Sequence, residues 1–296
     1  MLLFQLILFA ALQAPASANS SQARFNDMFG AWSPDGKQIA FTSDRHGDPE
    51  IYVANADGSA LRRLTHTAGR DAHPAWSADG KYLLFQSPRE AGQTRIFRME
   101  LDGSGQRSLA ATQGFCGVPA PQPKGKAVAF QCSPSTTRFG EADTPWRIFV
   151  IDRDGAMPRA ATTGPGNDQV PTWSPDGKKL LFYSDRSGAD QLYELVRSKK
   201  VVRPVTYGPF RHRSGTYSPS GSEIALMRSD PEGKADVYIL RNGRYRRLTD
   251  SGPEFGTPAF SPDGKSVLAQ LPTPGGWRLF VLRTDGGGRR QVEFRP

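Results

Sequence analysis

One short unit recurs along this chain and constrains its fold more than any other feature. Its clearest copy spans 172–186 and reads Thr-Trp-Ser-Pro-Asp-Gly-Lys-Lys-Leu-Leu-Phe-Tyr-Ser-Asp-Arg. Pro175 presets φ at the first central turn position, Asp176 can bond its own backbone, and Gly177 supplies the positive φ that closes the loop. The unit therefore predicts two short antiparallel strands joined by a tight turn.

The unit occurs six times, and the copies at 120–126 and 216–222 are more divergent than the other four. The turn glycines are separated by 44, 45, 52, 44 and 43 residues, and they are Gly36, Gly80, Gly125, Gly177, Gly221 and Gly264. A period of about 40–45 residues that carries four strands is typical of propeller blades. Only the third unit is longer than its neighbours.

Each unit continues with a third strand, a hairpin turn and an outer strand. In the first unit these are 51–53, the Asp57-Gly58 turn and 61–65. The sequence thus predicts an all-β fold, a six-bladed β-propeller with four antiparallel strands per blade. The expected blades are 26–66, 70–110, 115–162, 167–207, 212–250 and 255–296. A pair of β-sandwiches is the alternative, but it does not explain a period that runs the full length.

The chain opens with an apolar run at 2–12, followed by Ala16-Ser17-Ala18 before Asn19. This run is shorter than the ~20 residues that a membrane span needs. It predicts a cleaved secretory signal over 1–18 and a single propeller over 19–296, with a retained N-terminal helix as the alternative. We expect a periplasmic or secreted monomer, with no transmembrane segment after cleavage and no nucleic-acid partner.

The repeated Trp-Ser-Pro-Asp-Gly-Lys units, with Phe-Thr-Ser-Asp-Arg at 41–45, Ala-Asp-Gly-Ser at 56–59 and Leu-Arg-Arg-Leu-Thr at 61–65, resemble the WD40-like (PD40) repeats of TolB-like propellers. The resemblance covers nearly all of the chain after the signal. It implies a periplasmic component of a cell-envelope complex, whose partner is a peptidoglycan-associated lipoprotein. TolB-type proteins carry an α/β domain before the propeller, and here the first blade is expected to follow the signal directly.

The net charge of +9 raises the question of an acidic partner. Many of the arginines fall on or beside the predicted outer strands: Arg62, Arg63, Arg107, Arg159, Arg203, Arg246, Arg247, Arg289 and Arg290. Charge on exposed strand edges prevents edge-to-edge pairing, and this interpretation is favoured here. A rim that binds a polyanionic envelope polymer is the alternative.

The connections of a four-stranded meander divide between two faces. The short Ser-Pro-Asp-Gly and Asp-Gly turns share one, the turn face, whereas the loops between blades and between second and third strands share the other, the loop face. Because the loop-face connections vary, we expect binding there. Alignment of the innermost strands predicts a ring of residues at the channel mouth: Asp27, Asp71, Cys116, Asp168, His212 and Phe255, with Asn26, Arg70, His73, Asn167, Arg211 and Arg213 beside it. These residues either bind a ligand or bond backbone amides and hold the blades together.

The extra length of the third unit lies within 133–146, on the loop face. It carries Arg138 and Phe139, residue types that are common at binding hot spots. We expect both residues to contact the partner together with Asp71, Asp168 and His212. The alternative is an inserted loop with no role.

Cys116 and Cys132 fall almost opposite each other on the paired strands of this third unit. Export to an oxidising compartment would permit a disulfide between them.

No residues with catalytic spacing occur elsewhere. The four histidines have no metal-binding spacing, and no Gly-x-Ser-x-Gly elbow or phosphate-cradling loop is present. A metal site that combines His73 and His212 with Asp71 or Asp168 is a minor alternative, because some propellers of this type are polysaccharide lyases. We therefore expect no cofactor and a non-catalytic binding scaffold for an envelope protein or lipoprotein. An enzyme acting on an envelope or extracellular polysaccharide is the competing hypothesis.

Overall fold

The computed structural model describes residues 24–90, 93–109, 114–133, 145–250 and 256–296. In this part of the chain the strands form six antiparallel four-stranded sheets, each built from consecutive strands. The six-bladed propeller predicted from the repeat is confirmed. Among these residues there is no helix long and apolar enough to span a membrane.

The first three blades contain strands β1 to β12 in chain order. Their bounds are β1 Asp27–Trp32, β2 Gln38–Ser43, β3 Glu50–Asn55, β4 Arg62–Arg63, β5 Ala72–Trp76, β6 Tyr82–Glu90, β7 Gln93–Glu100, β8 Arg107–Ser108, β9 Phe115–Pro121, β10 Val128–Ser133, β11 Arg147–Ile151 and β12 Arg159–Ala160.

The last three blades contain strands β13 to β24. Their bounds are β13 Asp168–Trp173, β14 Lys179–Ser184, β15 Gln191–Val196, β16 Val201–Pro204, β17 Arg211–Tyr217, β18 Ile224–Ser229, β19 Ala235–Arg241, β20 Arg244–Arg247, β21 Ala259–Phe260, β22 Ser266–Thr273, β23 Gly276–Arg283 and β24 Arg289–Gln291.

The recurring turn is built as its residues predict. The Asp176 carboxylate accepts a hydrogen bond from the Lys178 amide at 3.0 Å and another from the Ser174 hydroxyl at 2.6 Å. Gly177 has φ of 72°. The Ser174 hydroxyl oxygen in turn accepts a hydrogen bond from the Lys179 amide, so one short polar motif closes the hairpin. Gln122 of the preceding blade adds one bond to this turn, from its side-chain amide to the Gly177 carbonyl at 2.8 Å.

The hydrophobic core lies between blades rather than within one layer. Each cluster of buried side chains spans two neighbours, as where Ile51 and Val53 of the first blade pack with Phe85 and Met99 of the second. The repeated tryptophan joins the same interface: the Trp76 indole donates to the Ala31 carbonyl at 3.1 Å. Blade-to-blade packing therefore explains why an aromatic residue precedes five of the six turns.

Most arginines of the outer strands are engaged within the propeller. Arg63 pairs with Glu50 at 2.7 Å, and Arg203 pairs with Glu194 at 2.6 Å. Arg107 pairs with Asp154 of the next blade. Much of the positive charge on these edges is thus balanced locally, which favours edge protection over a polyanion-binding rim.

Blade 6 meets blade 1 without a shared strand among the described residues. The Leu61 amide donates to the Arg295 carbonyl at 3.0 Å, and the Arg295 amide donates to Gly58 at 2.8 Å. A Cβ on Gly58 would overlap the Glu293 carbonyl, so only glycine fits there. On the loop face, Arg278 donates to the Phe25 carbonyl and its guanidinium stacks on the Phe25 ring at 3.7 Å. Within the described residues, non-covalent contacts close the ring.

Candidate functional site at the channel mouth

The innermost strands line the central channel, and most of them carry a bulge at the same place. Their pairing with the second strand shifts in register two residues after the positions of the predicted ring, which are Asp27, Asp71, Cys116, Asp168 and His212. The bulged residue adopts a left-handed backbone, with φ between 51° and 55° at Phe29, His73, Val118, Val170 and Ser214. Such a conformation costs a non-glycine residue roughly 1–3 kcal/mol and requires support from its surroundings.

That support comes from the preceding blade. The Val118 amide donates to the Gln86 side chain at 3.0 Å, and the Val170 amide donates to Gln131 at 2.9 Å. Phe29 is held in the same way by Gln270 at 3.0 Å. In the second blade a hydroxyl, that of Thr42, replaces the glutamine at 3.2 Å from the His73 amide. Sequence reasoning missed this network, although its signal is visible as a Thr or Gln at one position in four of the six second strands.

The three aspartates predicted to ring the channel mouth are buried and paired with arginines of their own blades. Asp27, Asp71 and Asp168 are at most 1% exposed. Their guanidinium partners are Arg45 at 2.6 Å, Arg89 at 2.5 Å and Arg186 at 2.6 Å. If the aspartates only hold the blades together, the sequence predicts that they accept hydrogen bonds from backbone amides. In the structure their partners are arginine side chains instead.

Aromatic rings surround these arginines. The Arg186 guanidinium lies 5.1 Å from the centre of the Tyr193 ring, and Arg89 lies 4.8 Å from that of Phe97. For Asp27, burial raises the pKa above its usual value, and Arg45 opposes that effect. Each pair is one connected unit of carboxylate, guanidinium and ring, and it joins the first two strands of its blade.

Blade 5 departs from this arrangement. His212, at 1% exposure, shares a hydrogen bond with the Gln191 side chain at 2.9 Å and stacks on Tyr245. Burial and the nearby Arg228 charge lower the pKa of His212 to about 4, so it is neutral at pH 7. Its neighbour Arg213 pairs with Asp190, whereas Arg211 is exposed.

His73 lies in the channel itself. Its ring stacks on Phe29 with 3.8 Å between the ring centres, and the Arg70 guanidinium lies 5.9 Å from the centre of the Phe29 ring. Burial lowers the pKa of His73 to about 3. Of the predicted site residues, Arg70 and His73 are thus brought together, in one stack with Phe29.

The loop-side part of the channel is a chamber of about 410 Å³. Its wall combines rings with side-chain amides: Phe29, His73, Phe115, Trp146, Tyr183, Gln86, Gln131 and Gln169. The Tyr183 hydroxyl donates to Gln169 at 2.6 Å, and burial raises the pKa of Tyr183 to about 12. Phe115 and Trp146 were not predicted as site residues. Arg138, Phe139 and Phe255, which were, lie outside the described residues.

The described ranges contain no group of three or more His, Cys, Asp or Glu side chains that could hold a metal ion. His73 and His212 each have separate surroundings, as described above. A wider cleft of about 930 Å³ lies away from this mouth, between blades 6 and 1, and includes Trp32 and Arg290.

Two segments of the chain, residues 6–130 and 104–295, match the family described as the TolB beta propeller domain. The chain belongs to the TolB β-propeller family. Among curated relatives of this TolB-family chain, an uncharacterized protein of Agrobacterium fabrum, Atu1656, is 32% identical over 154 residues, 51% of this chain and 52% of that protein. The Tol-Pal system protein TolB of Bordetella pertussis is 29% identical over 146 residues, 48% of this chain and 33% of that protein. The chain spans about half, or less, of the length of these relatives.

Solved structures show how widely the TolB-family fold is shared. TolB from Acinetobacter baumannii superposes with a TM-score of 0.74 at 23% identity, covering 92% of this chain and 65% of that one. An oligogalacturonate lyase in complex with manganese superposes with a TM-score of 0.60 at 14% identity, covering 87% and 89% of the two chains. At these identities the likeness is one of fold alone.

Proposed function

We propose that this chain is an exported TolB-like binding scaffold whose loop face recognises another protein of the cell envelope. The observation that carries the proposal is the contrast between the faces. The loop face holds Phe115 and Trp146 around an open chamber, whereas the turn face consists largely of short turns that bond their own residues. Aromatic and arginine side chains are enriched where protein interfaces have their strongest contacts.

Several features support this proposal. The relative from Bordetella pertussis is named as a protein of the Tol-Pal system. The channel-mouth carboxylates are paired with arginines, which leaves rings, amides and Arg70 as the groups that a partner meets. Export would follow from the signal proposed at 1–18, and the scaffold would act as a monomer. A lipoprotein partner fits the same face.

The experiment is a crosslinking pull-down from the envelope fraction of the organism that encodes the protein. The wild type is compared with a loop-face variant, Phe115→Ala/Trp146→Ala, and with a turn-face control, Lys37→Ala/Lys81→Ala. We expect one envelope protein to be captured by the wild type and the control, and about tenfold less by the loop-face variant, a loss of about 1.4 kcal/mol. Equal capture by all three proteins would contradict the proposal.

The competing function is an enzyme that acts on an envelope or extracellular polysaccharide at the channel mouth. Uronate oligosaccharides with manganese distinguish it, because a ligand present at a hundred times its Kd adds about 2.7 kcal/mol to the free energy of unfolding. A raised melting temperature together with oligosaccharide cleavage would favour the enzyme and displace the scaffold proposal.

A further inference from the structure

The channel is divided into two chambers by a collar of side chains. Phe29, His73, Val118, Val170 and Thr257 line both the loop-side chamber and a second chamber of about 260 Å³ toward the turn face. The first four are the bulged residues with left-handed backbone. Since the preceding blade holds their amides, the collar has a fixed position.

The turn-side chamber is apolar for a reason visible in the repeat. After each collar residue comes a proline or glycine and then an alanine or threonine, so the lining includes Pro74, Pro119, Pro171, Ala31, Ala75, Ala120 and Ala259. Proline has no N–H to donate. The polar groups of Thr172 and Trp173 are already bonded, to the carbonyls of Gly215 and Ala120. This chamber therefore suits a hydrocarbon group.

The loop-side chamber offers hydrogen-bond donors and, among the described residues, no carboxylate. The side-chain oxygens of Gln86, Gln131 and Gln169 each accept a bond within the protein. Their amide N–H groups have no partner in the part of the chain that the structure describes, so they remain to donate. Such a wall suits a group that only accepts hydrogen bonds.

Arg70 adds a positive charge at the same end. Its side chain is exposed and lies over Phe29. The Asp44 carboxylate acts on it electrostatically, although the two form no ion pair within the described residues. Donors and a cation above an apolar chamber, with a collar between them, match a molecule with an anionic acceptor at one end and a hydrocarbon chain at the other. A chamber of 410 Å³ is within the roughly 300–1,000 Å³ of small-molecule sites.

We propose that the channel binds one single-chain carboxylate amphiphile, of the chemical class of a medium-chain fatty acid. The carboxylate lies among the Gln86, Gln131 and Gln169 amides near Arg70, and the hydrocarbon chain passes the collar into the turn-side chamber. This site lies inside the ring and goes beyond the proposed function, because it requires no protein partner.

Isothermal titration calorimetry of the purified protein with sodium dodecanoate, below its micelle concentration, tests this proposal. We expect saturable uptake of one molecule per chain and none of acetate, which has the head group without the chain. Two separate variants, Val170→Phe and Val118→Phe, each narrow the collar. The equivalent residue of blade 1 is Phe29, which has the same left-handed backbone, so phenylalanine is compatible with this position. Each should weaken dodecanoate binding at least tenfold, whereas Val201→Phe, on an exposed outer strand, should not.

The charge is tested by Arg70→Gln, which should weaken dodecanoate binding about twofold to fivefold and leave dodecan-1-ol binding unchanged. Arg159→Gln, on an exposed outer strand, is the matched control. Melting curves establish that the variants are folded. Absence of saturable uptake by the wild type, or wild-type affinity in both folded collar variants, would overturn the proposal. Because partner capture is measured separately, either proposal can fail while the other stands.

Discussion

Cys116 and Cys132 are joined by a disulfide at the pair of strand positions that Asp27 and Ser43 occupy in blade 1. In blades 1, 2 and 4 this place holds an aspartate bound to an arginine two residues beyond the serine. The third blade has a covalent bond where those three blades have an ion pair. The disulfide and the ion pair each connect the start of a blade's first strand to the end of its second strand.

The disulfide should be formed in protein recovered from outside the cytoplasm. Thiol labelling under denaturing, non-reducing conditions is expected to find no reactive cysteine, since the chain has only these two. Cys116→Ser/Cys132→Ser should lower the free energy of unfolding by about 3 kcal/mol, the loop-entropy estimate for about 15 residues. Urea titrations measure this change, and reduced wild type should match the variant. Two titratable thiols in the exported protein would show that the bond does not form.

Loss of one partner of a buried ion pair should be more costly than loss of the pair. Asp168→Ala leaves the Arg186 charge without its carboxylate, and we expect a loss of about 3–5 kcal/mol. Replacing both, in Asp168→Ala/Arg186→Met, should recover part of that loss. The exposed turn variant Asp176→Ala serves as control and should cost much less, because water replaces the lost contacts of an exposed carboxylate. If urea titration gives the two aspartate variants equal stability, the ion pair contributes no more than a surface turn.

The glutamine side chains that accept the backbone amides of the collar should contribute to stability, although each belongs to the blade before the collar residue that it holds. Gln131→Leu removes the acceptor of the Val170 amide and leaves a partly buried N–H unpaired, at a cost of about 1–3 kcal/mol. Gln38→Leu, in another second strand, is the control because no side-chain bond of Gln38 occurs among the described residues. Hydrogen exchange at Val170 should accelerate in the first variant alone, and unchanged exchange there would argue against the contact.

Acid should destabilise the fold through His212. Its pKa is about 4 in the folded protein and about 6.5 when unfolded, so below pH 6.5 the unfolded state binds more protons. This contribution to stability is complete above pH 6.5, falls as the pH is lowered, and stops falling below about pH 4. At 1.36 kcal/mol per unit, the loss between pH 7 and 4.5 is about 2–3 kcal/mol. In His212→Gln that part of the loss should disappear, whereas exposed His66→Gln should behave as wild type.

The ring should open first where blade 6 meets blade 1. Arg278 and Arg147 both follow a tryptophan, and both donate to a backbone carbonyl of the segment that leads into the next blade. Blades 3 and 4 are also joined by the chain, whereas blades 6 and 1 are not. Arg278→Gln should therefore accelerate hydrogen exchange in β1 and β24, and Arg147→Gln should have the smaller effect at its own junction. Equal effects of the two variants would indicate that chain continuity adds nothing.

The repeat was sufficient to predict the blades because each hairpin is closed by its own residues, as Asp176 and Gly177 show. The disulfide pair could be placed by its distance from the shared turn. What could not be predicted were contacts between blades, such as Gln131 with Val170, because they join residues 39 positions apart. A period in the sequence reveals that a position recurs, not which neighbour it meets.

The aspartates show the same limit at the site. Asp27, Asp71 and Asp168 recur at the channel mouth, and recurrence alone is compatible with a ligand or with structure. Their arginines were also visible in the sequence, 18 residues later in each case. Only the pairing of first and second strands brings the charges together. Phe115 has no periodic signal, because the face that it belongs to is the variable one, and Trp146 recurs in one other blade, as Trp277.

The collar has a consequence for how such a channel can diversify. At four of the five bulges the backbone amide is held by a glutamine or threonine side chain of the preceding blade, while the side chain of the bulged residue takes no part in that bond. Phenylalanine, histidine, valine and serine already occupy equivalent places around one axis. The bulged residues that line the channel can thus be substituted one blade at a time. Such substitutions would alter which molecules the channel admits and leave the backbone of the ring unchanged.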